Sequence, residues 1–210
     1  MLSGELQRKP TENNINMKGT NDYLDRMNSN LATTEAIFDW ACFIAELETN
    51  ENDMIAIYVQ RCPFLITEQA DEKGFTLLHH AVLKCIPGKV LKLITLAKEL
   101  QGATDHAIKK WVNSCTNTDQ FTPLHLASFK GNMDAVHTLM AHWADPNAEN
   151  FYGLNMLHVA AQGDAAPSLF YFKQKDVDIN KKDKRGSTPL HWACYSNSEI
   201  ALSYLLAWGP

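Results

Sequence analysis

Asp183-Lys184-Arg185-Gly186-Ser187-Thr188-Pro189-Leu190-His191-Trp192-Ala193-Cys194 reads as a turn that feeds a short helix. Gly186 can take positive φ at the bend, Thr188 can cap the first helical turn, and Pro189 stands where its missing N–H costs nothing. The same pattern recurs at Thr122-Pro123-Leu124-His125-Leu126-Ala127, at Asn155-Met156-Leu157-His158-Val159-Ala160 and at Thr76-Leu77-Leu78-His79-His80-Ala81. His125 to His158 is 33 residues, and His158 to His191 is 33 again. Equal intervals of this size mean stacked supersecondary units, each too small to bury its own apolar face alone.

The Thr-Pro-Leu-His-x-Ala pattern at that period resembles the ankyrin repeat. The resemblance implies an all-α solenoid of about five repeats over 35–210, each a β-hairpin turn plus two antiparallel helices. The expected repeats are a degenerate 35–70, 71–116, 117–149, 150–182 and an incomplete 183–210. His79 to His125 is 46 residues, one period plus 13, so an insertion at 102–115 should bulge outward. An extra turn is expected there around Ile108 to Val112, anchored by Trp111.

Residues 1–34 are rich in Asn with few large apolar side chains, which reads as a disordered tail, with a short docked helix around Tyr23 to Met27 as an alternative. From Glu35 helical spacing begins: Ala36 to Glu46 places Ile37, Trp40, Ala41 and Ile44 on one stripe, and Asp53 to Arg61 places Met54, Ile57 and Tyr58 on another. Helices are expected to Lys84, over Lys89 to Gln101 and over Met133 to His142. The fourth repeat should have a first helix to Ala161 and a short second one, Pro167 to Phe172, and the last helix should finish at Ala207. Gln120 stands where the family carries Gly, so that hairpin should be strained or differently shaped. The stop at Trp208-Gly209-Pro210 without a polar cap leads to the expectation that the chain is a piece of a longer array.

With 45% hydrophobic and 20% charged residues the composition is that of a globular chain, and a net charge of −5 gives no footprint for nucleic acid or an anionic membrane. Five separated cysteines without a Cys-x-x-Cys make neither a disulfide framework nor a zinc ribbon, which fits a reducing, cytoplasmic compartment. No window approaches 18 uninterrupted apolar residues, so direct membrane insertion by this chain is not expected, although tethering through a longer chain is compatible.

Eight histidines invite a metal reading. In the ankyrin resemblance, however, His79, His125, His158 and His191 occupy the motif position whose ring bridges backbone groups of adjacent repeats. His137 and His142 are five apart, off the i, i+4 spacing of a helical zinc pair, with no third ligand. Cys42 and Cys194 read as core residues, since no spacing supplies a base and an orienting group for a nucleophile. No catalytic site, cofactor or metal is expected.

Binding remains. In ankyrin arrays the hairpin tips and exposed turns of the first helices form a concave groove, and that resemblance assigns partner contact to Phe121, Phe129, Lys130, Phe151, Tyr152, Leu154, Lys184, Arg185, Trp192 and Tyr195. Aromatics supply large contact area at low entropy cost, although Phe121 and Trp192 equally suit packing between repeats. The expected partner is a protein, presenting an extended segment or a domain surface. Leu157-His158-Val159-Ala160-Ala161-Gln162-Gly163-Asp164 together with Gly186 to Cys194 look like the cytosolic ankyrin module of ankyrin-bearing DHHC palmitoyltransferases. That resemblance implies a recruiting module whose aromatic at position 192 lines the substrate groove. This chain carries neither membrane spans nor Asp-His-His-Cys, so no catalytic role passes to any residue in it.

Overall fold

A computed structural model describes residues 40–48, 52–62 and 65–209, and the Asn-rich 1–34 segment, its alternative helix and residues 36–39 lie outside it. The described chain is helical: α1 Trp40–Glu48, α2 Asn52–Arg61, α3 Leu77–Lys84, α4 Lys89–Gln101, α5 Asp105–Val112, α6 Pro123–Lys130, α7 Met133–Ala141, α8 Met156–Gln162, α9 Ala166–Gln174, α10 Pro189–Tyr195 and α11 Glu199–Trp208. A 3-10 turn spans Ile66–Glu68, and an isolated antiparallel bridge pairs Ala70 with Thr76.

The recurring motif builds each inner helix from its N-terminus. At α6, Thr122 Oγ1 accepts from the His125 N–H at 3.3 Å while His125 Nδ1 accepts from the Thr122 N–H at 3.2 Å, a capping box with histidine at the third position. The same reciprocal pair closes α3 (Thr76 and His79), α8 (Asn155 and His158) and α10 (Thr188 and His191). Because Nδ1 is the acceptor, the ring proton sits on Nε2 and points out of the unit. It donates to the next hairpin: His79 to Phe121 O at 3.0 Å, His125 to Leu154 O at 3.1 Å, and His158 to Ser187 O at 3.1 Å. Burial holds His79 and His125 at a pKa of about 4, so the rings are neutral and the tautomer is stable.

Two layers follow. Inner helices α1, α3, α6, α8 and α10 pack on one another in order, and outer helices α2, α4, α7, α9 and α11 do likewise. Val82, Leu93, Leu124, Val136, Leu157 and Leu169 are fully or almost fully buried between them. The first pair departs from the expected stripes. Phe43 and Leu47 fill the core of α1 while Ala41 is exposed and Trp40 and Ile44 are half-buried; Ile55, Tyr58 and Val59 fill that of α2 while Ile57 is exposed. Helical spacing alone leaves the rotation of a largely apolar helix open, and here the neighbouring α3 and α4 decide it.

The segment expected to be an insertion, 102–115, contains a helix, α5, capped by Thr104 Oγ1, which accepts from the Ala107 N–H. Ile108, Trp111 and Val112 are buried, against the 3-10 turn among others, so Trp111 is the anchor expected. The third hairpin is both strained and longer. Gln120 takes φ +56°, and Thr116 N–H bonds Phe121 O across one more residue than Asp71–Phe75, Asn150–Leu154 and Asp183–Ser187. The second helix of the fourth unit is not short: α9 has nine residues, as α7 does, because Pro167 is accommodated in its first turn and Leu169 and Phe172 bury against α8 and α11.

Candidate interaction groove

The hairpin tips are shaped by one side chain each. Asn150 Oδ1 accepts from the N–H groups of Tyr152 and Leu154 at 3.0 and 2.9 Å, and Asp183 Oδ1 does the same for Arg185 and Ser187. Successive tips are joined by backbone bonds from Phe151 N–H to Asp119 O and from Lys184 N–H to Tyr152 O. Such double fixing leaves the aromatic pair at the tip little freedom. Phe151 and Tyr152 are 51% and 42% exposed, with ring centroids 5.4 Å apart and edge to face. The Tyr152 hydroxyl donates to Asp119 Oδ1 at 2.9 Å, and the Lys184 ammonium lies 4.7 Å from the Phe151 centroid. The bond to Asp119, then its charge, raise the Tyr152 phenol pKa, with the nearby Arg185 opposing.

On α10, Trp192 is half-buried and donates its indole N–H to Asp183 Oδ2 at 2.9 Å, while Tyr195 is 87% exposed, 6.0 Å from it ring to ring. Burial alone would raise the Asp183 carboxyl pKa, but the bonds from Trp192, Ser187 and Arg185 outweigh it and hold it below the ordinary range. Arg185, Ser187, His191, Cys194 and both aromatics line a concavity of about 560 Å³. Cys194 is exposed there and is not a core residue; Ala193 takes the buried direction of the helix instead.

The expected site residues thus fall into a tip cluster of Phe151, Tyr152 and Lys184 and a helix cluster of Arg185, Trp192 and Tyr195. Phe129 and Lys130 lie exposed at the end of α6. Phe121 is half-buried, its carbonyl taken by His79 and its ring edge on His125, so it serves the stacking of units. Leu154 is buried, with its carbonyl accepting from His125. Sequence reasoning missed Asp119, the partner of Tyr152, because the lengthened hairpin hides its register. His191 keeps the motif geometry with Thr188 but is exposed.

Elsewhere, His137 packs its ring on Tyr171 and His142 donates from Nδ1 to Thr138 O. Among the described residues no group of three His, Cys, Asp or Glu is placed to hold a metal ion.

The profile of ankyrin repeats in three copies matches residues 93–183, and the single ankyrin-repeat profile matches 185–210. The chain is 34% identical over 89 residues to the human transient receptor potential cation channel subfamily A member 1, covering 42% of this chain and 8% of the channel subunit. It is 33% identical over 89 residues to the palmitoyltransferase AKR1 of Lachancea kluyveri, covering 40% and 12%. The putative palmitoyltransferase ZDHHC13 of Danio rerio is 29% identical over 137 residues, covering 63% and 19%. The chain therefore spans less than a fifth of the length of these curated relatives.

Proposed function

The chain belongs to the ankyrin-repeat family, and from that premise we propose that it is a non-catalytic recognition module holding an extended segment of a partner protein along its hairpin tips and inner helices. The observation that carries this reading is the exposure of Phe151, Tyr152 and Tyr195 on hydrogen-bonded, well-fixed backbone. Rings held this way lose little entropy on binding and offer large apolar area. Lys130, Lys184 and Arg185 supply exposed polar contacts around them. A cytoplasmic setting suits the free cysteines Cys62, Cys85, Cys115 and Cys194, and among the described residues no helix is long and apolar enough to cross a membrane.

The test uses a photo-crosslinking residue at position 152 or 195 to capture the partner, followed by binding to Tyr152→Ala, Trp192→Ala and Tyr195→Ala. Each should weaken binding by at least ~1–2 kcal/mol. Tyr152→Ala and Tyr195→Ala should leave the thermal midpoint in place. Normal binding by all three variants removes the groove assignment.

The similarity to AKR1 and ZDHHC13 favours a second reading, in which this module is the cytosolic substrate-recruiting region of a membrane protein S-palmitoyltransferase and Trp192 belongs to the recruiting groove. Sequencing the transcript on both sides of these 210 codons separates the readings. Membrane spans with an Asp-His-His-Cys domain support the second, and their lack supports a free-standing adaptor.

A further inference from the structure

Trp143 takes φ +65° one residue past His142, the C-cap of its outer helix, as the smaller Asp176 does at +58° past Lys175 in the next unit, while Gly102 and Gly209 take +64° and +67° at the C-caps of α4 and α11. A bulky β-carbon is disfavoured in that region, and the side chain is not compensated by burial, being 47% exposed. Its indole instead walls a cavity of about 660 Å³ that lies against α5. Asn113 makes a rigid frame of the two walls: its amide donates to Trp143 O at 2.9 Å and accepts from the Asp145 N–H at 2.8 Å.

Charge in this cavity leans positive, two lysines against one unpaired carboxylate. Lys109 and Lys110 of α5 line it, are exposed, and form no ion pair among the described residues. Of the two acidic side chains lining it, Glu149 is paired with Lys181 at 2.7 Å, and Asp145 turns Oδ1 to the Asn147 N–H. Lys98, bonded to Asp105, stands over the Trp143 ring at 5.6 Å from its centroid. In a chain of net charge −5, an exposed tryptophan sharing a cavity with two lysines outside any ion pair, against the single unpaired carboxylate of Asp145, is a locally positive place on the surface.

We propose that this cavity is a second docking site, sharing no residue with the groove, for an acidic peptide segment whose apolar side chain lies on the Trp143 indole and whose carboxylates meet Lys109 and Lys110. An aromatic anchor fixes position and the lysines supply attraction and rate, a division common in peptide recognition.

The probe is a labelled peptide, Ac-Glu-Glu-Leu-Glu-Glu-Leu-Glu, titrated into the full chain and followed by fluorescence anisotropy. Its Kd should fall at ~10–100 μM in low salt and weaken as salt rises. Trp143→Gly should weaken it at least ~10-fold while leaving the fold intact, because glycine suits the backbone there. Lys109→Glu with Lys110→Glu should weaken it by a similar factor. Tyr195→Ala should leave it unchanged, which separates this site from the groove. No binding at millimolar peptide, equal binding of the Gln-for-Glu peptide, or undiminished binding by Trp143→Gly overturns the proposal. So does equally tight binding of an oligothymidylate of matching charge, which would make the patch a general polyanion surface.

Discussion

Trp192 donates to Asp183 Oδ2 at 2.9 Å, and His80 meets Asp71 Oδ2 at 3.1 Å with the same nine-residue separation. One carboxylate therefore serves twice, its Oδ1 shaping the hairpin and its Oδ2 holding the inner helix that follows. In the fourth unit the pair is Asn150 and Val159, and the buried Asn150 Nδ2 has no hydrogen-bond partner. Asp183→Asn would set an amide NH₂ against the indole N–H, donor to donor, at an expected cost of ~1–3 kcal/mol in urea unfolding. In a Trp192→Phe background that cost should shrink, and a double-mutant cycle with no coupling energy would deny the bond its structural role.

The buried histidines give the array a pH limit of defined sign. His79 and His125 are held at about 4 against an ordinary 6.5, with desolvation the leading cause and the carbonyl bonds opposing it, and His158 is lowered too. The folded state then binds fewer protons than the unfolded chain. Stability is full above pH 6.5 and is lost as pH falls toward 4, by on the order of 3 kcal/mol for each of the first two rings. Asp183, held below its ordinary 3.8, adds a loss only at lower pH still. Urea midpoints between about pH 7 and pH 4.5 should fall continuously, and a flat profile would contradict the neutral-ring assignment.

The repeated units were legible because Thr122, Pro123 and His125 declare cap, first turn and inter-unit bond within four residues. The rotation of α1 was not, since Trp40, Phe43, Ile44 and Leu47 are all apolar and only the position of α3 selects Phe43 and Leu47 for the core. Cys194 was misplaced for a related reason: on a seven-residue helix beside a concavity, an apolar residue type does not fix its direction. Trp143 escaped notice because it stands one residue past the C-cap of an outer helix, and only its dihedral and exposure reveal the departure.

Two substitutions at equivalent turn positions should move stability in opposite directions. Gln120 occupies with φ +56° the place that Gly74, Gly153 and Gly186 fill at +79° to +84°. Gln120→Gly removes the left-handed strain and should raise stability by up to ~1 kcal/mol. Gly74→Ala adds that strain, and its Cβ would meet Asn117 Oδ1 at 2.5 Å and Asn117 N at 2.8 Å, in the hairpin that bonds Lys73 O. A loss above ~1 kcal/mol is expected. Equal midpoints for the two variants would mean the third hairpin is not strained.

Gly163 is required for a different reason. Its backbone, φ −86° and ψ 4°, suits any residue, yet a Cβ there would lie 2.0 Å from Phe129 O and 2.9 Å from Phe129 C. Backbone atoms cannot swing aside as a side chain can, and the end of α6 is already fixed by bonds from the Gly131 and Asn132 N–H groups to Ser128 O and Ala127 O. Gly163→Ala must therefore separate α6 from α8, at an expected cost near the upper end of overpacking, ~3 kcal/mol or more. Gly131→Ala provides the contrast. It sits at φ +65° but its Cβ would touch only Ala165, at 3.5 Å, so the cost should stay near the ~1 kcal/mol of a left-handed alanine. If thermal and urea unfolding rank the two variants the other way, close backbone approach is not what demands glycine at position 163, and the packing of α6 on α8 is looser than these distances state.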